Sequence, residues 1–92
     1  MIKEVFNMEL GVHVTFGSFH YFEVKLYWTN EKEETRINIF EITANQLKEL
    51  GVIKRPNGYK EIREWLKTEE AKKVMKDITN KKYYGNSPYI FV

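Results

Sequence analysis

Apolar residues take every second position from Phe6 to Phe16, namely Phe6, Met8, Leu10, Val12, Val14 and Phe16, with Asn7, Glu9, His13 and Thr15 among the positions between them. A period of two marks a strand with one buried face, and it predicts a long strand over about 5–16. Phe22, Val24, Leu26 and Trp28 repeat the pattern, so a second strand over about 19–29 follows, with Gly17-Ser18 at the turn of a hairpin. Successive side chains point to opposite faces, so the parity of the loop decides which residues meet. A two-residue turn pairing Phe16 with Phe19 would set Val12 opposite Glu23 and Leu10 opposite Lys25. An odd loop, with Thr15 paired to Phe19, instead puts Val12 opposite Phe22, Leu10 opposite Val24, Met8 opposite Leu26 and Phe6 opposite Trp28. That register sends His13 to solvent and His20 to the core side near the tip. The two imidazoles of HVTFGSFHYF then cannot converge on one ion.

After the charged connection Asn30-Glu31-Lys32-Glu33, a third strand is expected over about 34–42. A turn centred on Glu31-Lys32 gives an even loop that places Ile37 and Ile39 on the face of Leu26 and Val24. The product is a three-stranded antiparallel meander whose uncovered face carries Glu9, His13, Tyr21, Glu23, Lys25, Tyr27, Arg36 and Asn38.

The period then changes. Thr43-Ala44-Asn45-Gln46 is a capping box and Gly51 a stop, and together they bracket a short helix over about 44–50. Arg55-Pro56-Asn57-Gly58 reads as a turn, and Tyr59, Ile62, Trp65 and Leu66 line one side of a second helix over about 59–67. Thr68-Glu69-Glu70 opens a further helix with acids at the positive end of its dipole. Ala71, Val74, Met75 and Ile78 keep helical spacing to about 79. The pattern leaves open whether these are two helices or one kinked rod. Tyr89-Ile90-Phe91-Val92 is expected to add a fourth strand over about 89–92. The fold class is α+β, a single domain over 1–92, with the helices packed on the Phe6/Val24/Ile37 face.

Ninety-two residues suffice for one core and one domain. The chain has no cysteine, which removes disulfides and thiolate metal sites and favours a reducing compartment. No apolar run reaches the ~18 residues of a spanning helix, and Met1-Ile2-Lys3-Glu4 opens no signal-peptide core, so a cytoplasmic protein is expected. The net charge of +2 hides an asymmetry: residues 1–46 hold four Lys/Arg against seven Glu (−3), and residues 47–92 hold eleven against six acids (+5). Two faces of opposite sign suit a partner with a charged patch, whereas a total of +2 is far from that of a dedicated nucleic-acid binder. The lysine-, asparagine- and isoleucine-rich usage resembles that of an AT-rich genome and fits a phage or mobile-element gene.

Parts for catalysis are few. Ser18 and Ser87 are the only serines, and Asp77, the sole aspartate, stands among lysines far along the chain from both histidines, so no catalytic triad is expected. No phosphate-cradling glycine motif, HExxH or EF-hand loop occurs, and neither a cofactor nor a metal is expected. What remains is His13 with Glu9 on its own strand, Glu23 or Tyr21 across the hairpin, and Lys25 or Arg36 to steady a phosphate, a ribonuclease-like grouping. The same residues also make an ordinary solvated sheet face, the preferred reading.

Lys72, Lys73, Lys76, Lys81 and Lys82, followed by Tyr83 and Tyr84, form a candidate nucleic-acid patch. Amphipathicity and the helix dipole would place those lysines there in any case. A helix-turn-helix over 43–66 is disfavoured, because Leu47 stands where a small residue is wanted and Pro56-Asn57-Gly58 would interrupt the recognition helix. Phe19, Tyr21, Tyr27, Tyr83, Tyr84 and Tyr89 lie outside the core periodicity and suit a protein interface. The expected function is a small non-enzymatic binding protein, an inhibitor or adaptor from a phage or mobile element, using the sheet face on an unidentified protein partner. Nucleic-acid binding is the alternative, and a ribonuclease-like activity the third reading. A homodimer through an edge strand is compatible with the same fold.

Overall fold

The computed structural model describes residues 2–55 and 57–82, and the backbone alone of 89–91. Pro56 of the expected turn, Tyr83 and Tyr84 of the candidate patch, and Val92 lie outside the described residues. Three strands, β1 (Ile2–Phe16), β2 (Phe19–Asn30) and β3 (Thr35–Thr43), form an antiparallel sheet with β2 in the middle, and α1 (Ala44–Glu49), α2 (Tyr59–Trp65) and α3 (Glu69–Lys82) follow. The fold is α+β. The capping box is present as expected: Thr43 Oγ1 accepts from the Gln46 N–H, and Gln46 Oε1 accepts from the Thr43 N–H. Gly51, in the left-handed region at φ 76°, follows the end of α1. Helices α2 and α3 are separate: Thr68 Oγ1 donates to the Trp65 carbonyl at 2.6 Å and accepts from the Ala71 N–H at 3.2 Å, so it caps the N-terminus of α3 at the break.

The hairpin register differs from the expected one. Phe16 pairs with Phe19 across a two-residue Gly17-Ser18 turn. Gly17 has φ 60° while Ser18 keeps a negative φ, the pattern of a type II′ turn. Parity is restored further down: Leu10 pairs with Val24 and His13 with Phe22, so Gly11 and Val12 together oppose Glu23 in a β-bulge. Glycine suits this spot because a Cβ at residue 11 would lie 3.2 Å from the Glu23 carbonyl oxygen. A second extra residue falls at Phe6, between the Val5–Trp28 and Asn7–Tyr27 pairs, and a third irregularity lies between Ile2 and Glu4. The pairs Leu10–Val24 and Met8–Leu26 therefore stand, while Val5 replaces Phe6 opposite Trp28 and His13 replaces Val12 opposite Phe22.

The third strand is also turned over relative to expectation. Thr29 pairs with Thr35, which leaves the odd loop 30–34. Asn30 Oδ1 organises it by accepting from the N–H groups of Lys32 (2.9 Å) and Glu34 (3.0 Å), with Glu33 at φ 62°. Asn38, Phe40 and Ile42 consequently face the core opposite Leu26, Val24 and Phe22, and Ile37 and Ile39 face outward. Burying Phe40 and Ile42 brings them under Leu47 and Ala44 of α1, each large apolar side chain contributing about 1.5–3 kcal/mol. The cost is Asn38, 3% exposed, which is met by the Trp28 indole N–H donating to its Oδ1 at 2.6 Å.

The core thus lies between the inner sheet face (Ile2, Val5, Met8, Phe22, Val24, Leu26, Trp28, Phe40 and Ile42) and the helical layer (Leu47, Ile62, Leu66, Ala71 and Met75). α3 packs along β1, α2 also reaches β1, and α1 covers β2 and β3. The helices therefore cover the Val5/Val24/Phe40 face, with Val5 and Phe40 in place of Phe6 and Ile37. Gly58 allows the chain to pass Ile53, since a Cβ there would meet the Ile53 Cγ2 at 2.8 Å.

Candidate functional site

The outer sheet face holds Glu9, Tyr21, Glu23, Lys25 and Tyr27 as expected, set by the backbone pairs Glu9–Lys25, Asn7–Tyr27, Lys25–Ile39 and Glu23–Glu41. His13 and Asn38 are not part of it, because the bulge at residues 11–12 and the odd 30–34 loop turn both inward. Arg36 has the inward parity opposite Trp28 yet is exposed, and its guanidinium reaches Glu34 Oε2 at 3.2 Å.

Apolar residues absent from the expected face take their place. Phe6 is 43% and Ile37 54% exposed, and at the tip Phe16 is 81% exposed beside Phe19. Phe6 and Asn7 oppose Tyr27, and Tyr27 pairs with Ile37, so Phe6, Tyr27 and Ile37 form one row across all three strands. The Phe6 and Tyr27 ring centroids are 6.3 Å apart, tilted at 52°. The Tyr27 hydroxyl donates to Glu9 at 3.1 Å, and that bond to a carboxylate raises its pKa.

Beyond the intervening Glu9–Lys25–Ile39 row, Glu23 and Glu41 stand directly opposite each other. Desolvation, and then the Glu23 charge, push the Glu41 carboxyl above the usual range. The Tyr21 hydroxyl is raised by desolvation and by the same two acids.

The second cluster is the histidine pair, which the expected register kept apart. His13 Nε2 lies 2.9 Å from His20 Nδ1, and His13 Nδ1 is hydrogen-bonded to the Tyr59 hydroxyl of α2. The His13 ring lies flat on Phe22 (centroids 4.5 Å, 9°) and edge-on to Tyr59 (5.0 Å, 82°). The two imidazoles are nearly coplanar, 15° apart with centroids at 5.1 Å, and meet edge to edge through a nitrogen-to-nitrogen hydrogen bond. Nitrogens aimed at each other share a proton rather than converge on a third point where a metal would sit. Among the described residues no group of three or more His, Cys, Asp or Glu side chains could hold a metal ion. Desolvation, and then His20, lower the His13 pKa. The ribonuclease-like grouping does not form, since His13 lies on the face opposite Glu9, Glu23 and Tyr21 and its ring nitrogens are engaged by His20 and Tyr59.

The basic patch is mixed in sign. Lys72, Lys73 and Lys76 share a notch of about 200 Å³ with Lys3, Glu4 and Glu69, and Lys72 Nζ pairs with Glu69 at 3.3 Å. Lys81 and Lys82 are exposed at the end of α3. Among the described residues no helix is long and apolar enough to cross a membrane.

Sequence reasoning missed Phe6, Ile37 and Glu41 on the outer face. A signal for β3 was present, because Ile37 and Ile39 alternate with Phe40 and Ile42, leaving the strand apolar on both parities. No known protein family, curated protein or solved structure matches this chain.

Proposed function

We propose that the chain is a small non-enzymatic binding protein whose outer sheet face docks a partner protein. The supporting observation is the cross-strand row Phe6–Tyr27–Ile37, whose two flanking side chains are about half exposed although both are large and apolar. Exposed apolar residues grouped on one face and rimmed by polar groups mark interaction surfaces. Glu9, Glu23 and Glu41 against Lys25 make the rim acidic, so the partner surface carries apolar side chains flanked by cations.

Docking by the face is favoured over strand addition at β1, because three irregularities along that edge blunt it as a pairing template. The proposal includes the C-terminal run as a fourth strand covering the other edge. In its support, Tyr89, Ile90 and Phe91 align in parallel with Ile39, Phe40 and Glu41, an orientation that the long helical connection permits. A cytoplasmic location, favoured by the lack of cysteine, belongs to the same reading.

The test compares affinity capture on the wild-type chain with capture on a Phe6→Ser/Ile37→Lys double variant of unchanged circular dichroism. A partner retained by the first and lost from the second is expected. Equal retention by both would refute docking through this face.

A further inference from the structure

Between the hairpin tip and α1 lies an open cleft of about 210 Å³, separate from the proposed docking row, lined among others by Ser18, Phe19, His20, Asn45 and Lys48. Among the described residues no carboxylate lines it, and the chargeable groups there are Lys48 and His20. The volume is below the ~300–1,000 Å³ of pockets for drug-sized ligands and suits a single small group. We infer that this cleft is a site for a small oxyanion, a sulfate or phosphate group held by Lys48 and His20, with a proton on the His13–His20 pair setting the affinity.

The hydrogen-bond chain explains the proton coupling. In the neutral chain, Tyr59 Oη–H donates to His13 Nδ1, His13 Nε2–H donates to His20 Nδ1, and the remaining proton of His20 is on Nε2. The chain can also run the other way, with His20 Nδ1–H donating to His13 Nε2, His13 Nδ1–H donating to the Tyr59 oxygen, and a lone pair left on His20 Nε2. One proton added at that Nε2 makes His20 an imidazolium without breaking any bond of the chain. A second proton cannot enter the same geometry, because N–H groups would face each other across 2.9 Å.

The neighbours reinforce this limit. α2 offers Tyr59 with the Arg63 guanidinium 5.9 Å from its ring centroid, α1 offers Lys48, and β3 contributes the uncharged Thr43. Among the described residues no carboxylate is hydrogen-bonded or ion-paired to either imidazole. The counter-charge that a singly protonated pair lacks in the protein is what an oxyanion in the cleft would supply, through charge-assisted hydrogen bonds.

The test uses sulfate, whose charge is constant over the range, added to the full chain at fixed ionic strength while the imidazole nitrogens and the Lys48 side chain are followed by NMR. Saturable shifts at His20 and Lys48 are expected at about pH 5.5, weakening by up to about tenfold per unit as the pH is raised. Lys48→Met, at an exposed position, and His20→Gln should each remove the response. A short oligouridine competing better than sulfate would place the oxyanion on a nucleic-acid backbone, and a poorer competitor would mean a free anion. The inference fails if sulfate gives no saturable shift, if Lys48→Met binds as well as wild type, if affinity is independent of pH, or if zinc chloride saturates both histidines while sulfate does not.

Discussion

Each face of the sheet carries residues that would suit the other, and the two faces accommodate them in opposite ways. The inner face buries a polar Asn38 among Phe22, Val24, Leu26 and Phe40, and the outer face exposes Phe6 and Ile37 among glutamates. At these three positions the register, and not the hydrophobicity of the residue, decides the face. On the inner face a mismatch is answered inside the protein, as when the Trp28 indole reaches Asn38. On the outer face the mismatches, an uncovered apolar row and the facing Glu23 and Glu41, are answered by nothing among the described residues. Such a surface is stable alone only because the core beneath it carries the fold.

The comparison is broken most directly by truncation. Phe40→Ala should cost about 3–5 kcal/mol in chemical denaturation, while Ile37→Ser, three residues away on the other face, should stay within about 0.5 kcal/mol. Equal costs would mean that β3 is paired in the other register. Asn38→Ala should cost about 1–3 kcal/mol, because the indole N–H of Trp28 loses this buried acceptor. A neutral result would show that Asn38 points to water.

Smaller effects sharpen the contrast through pH. Glu41 has a raised folded pKa, so its charge opposes folding above the carboxylate range and the opposition fades as acid protonates it. Glu41→Gln should therefore gain about 0.2–1 kcal/mol at neutral pH by removing the like-charge pair, and nothing once pH falls below the unfolded value. His13, on the inner face, has a lowered folded pKa, so the unfolded chain binds the proton more readily. Its contribution is full above about pH 6.5 and is lost as pH drops through the folded value. Since the ring is partly exposed, this effect should be smaller than those of Phe40→Ala, Asn38→Ala and Glu41→Gln. It is measured as the pH dependence of melting that disappears in His13→Phe. The two faces thus respond to acid with opposite signs, and a common sign would contradict the placement of one of these side chains.

Much of the architecture was legible because it depends on local chemistry. The capping box at Thr43 and Gln46, the stop at Gly51 and the fresh start at Thr68 each involve groups within a few residues of one another. The alternation in β2 was readable because that strand is central and unbulged at the core positions Phe22, Val24, Leu26 and Trp28. β1 was misread for a physical reason: three extra residues are absorbed along it, and an extra residue inverts every side chain beyond it. Gly11 lies two residues before the stretch HVTFGSFHYF, but nothing local says that the Glu23 carbonyl will crowd that position. The histidine pair was missed for the same reason, and the outward turn of Ile37 because the connection 30–34 has odd length.

Composition and pattern alone determined that this chain makes an α+β fold, a hairpin and a third strand followed by short helices, because periodicity and capping are short-range properties. Which side chains share a face was decided only in three dimensions. A register shift of one residue costs little locally yet exchanges buried for exposed along a whole strand, and only the packed helical layer, which must be filled by Val5, Phe22 and Phe40, selects between the alternatives.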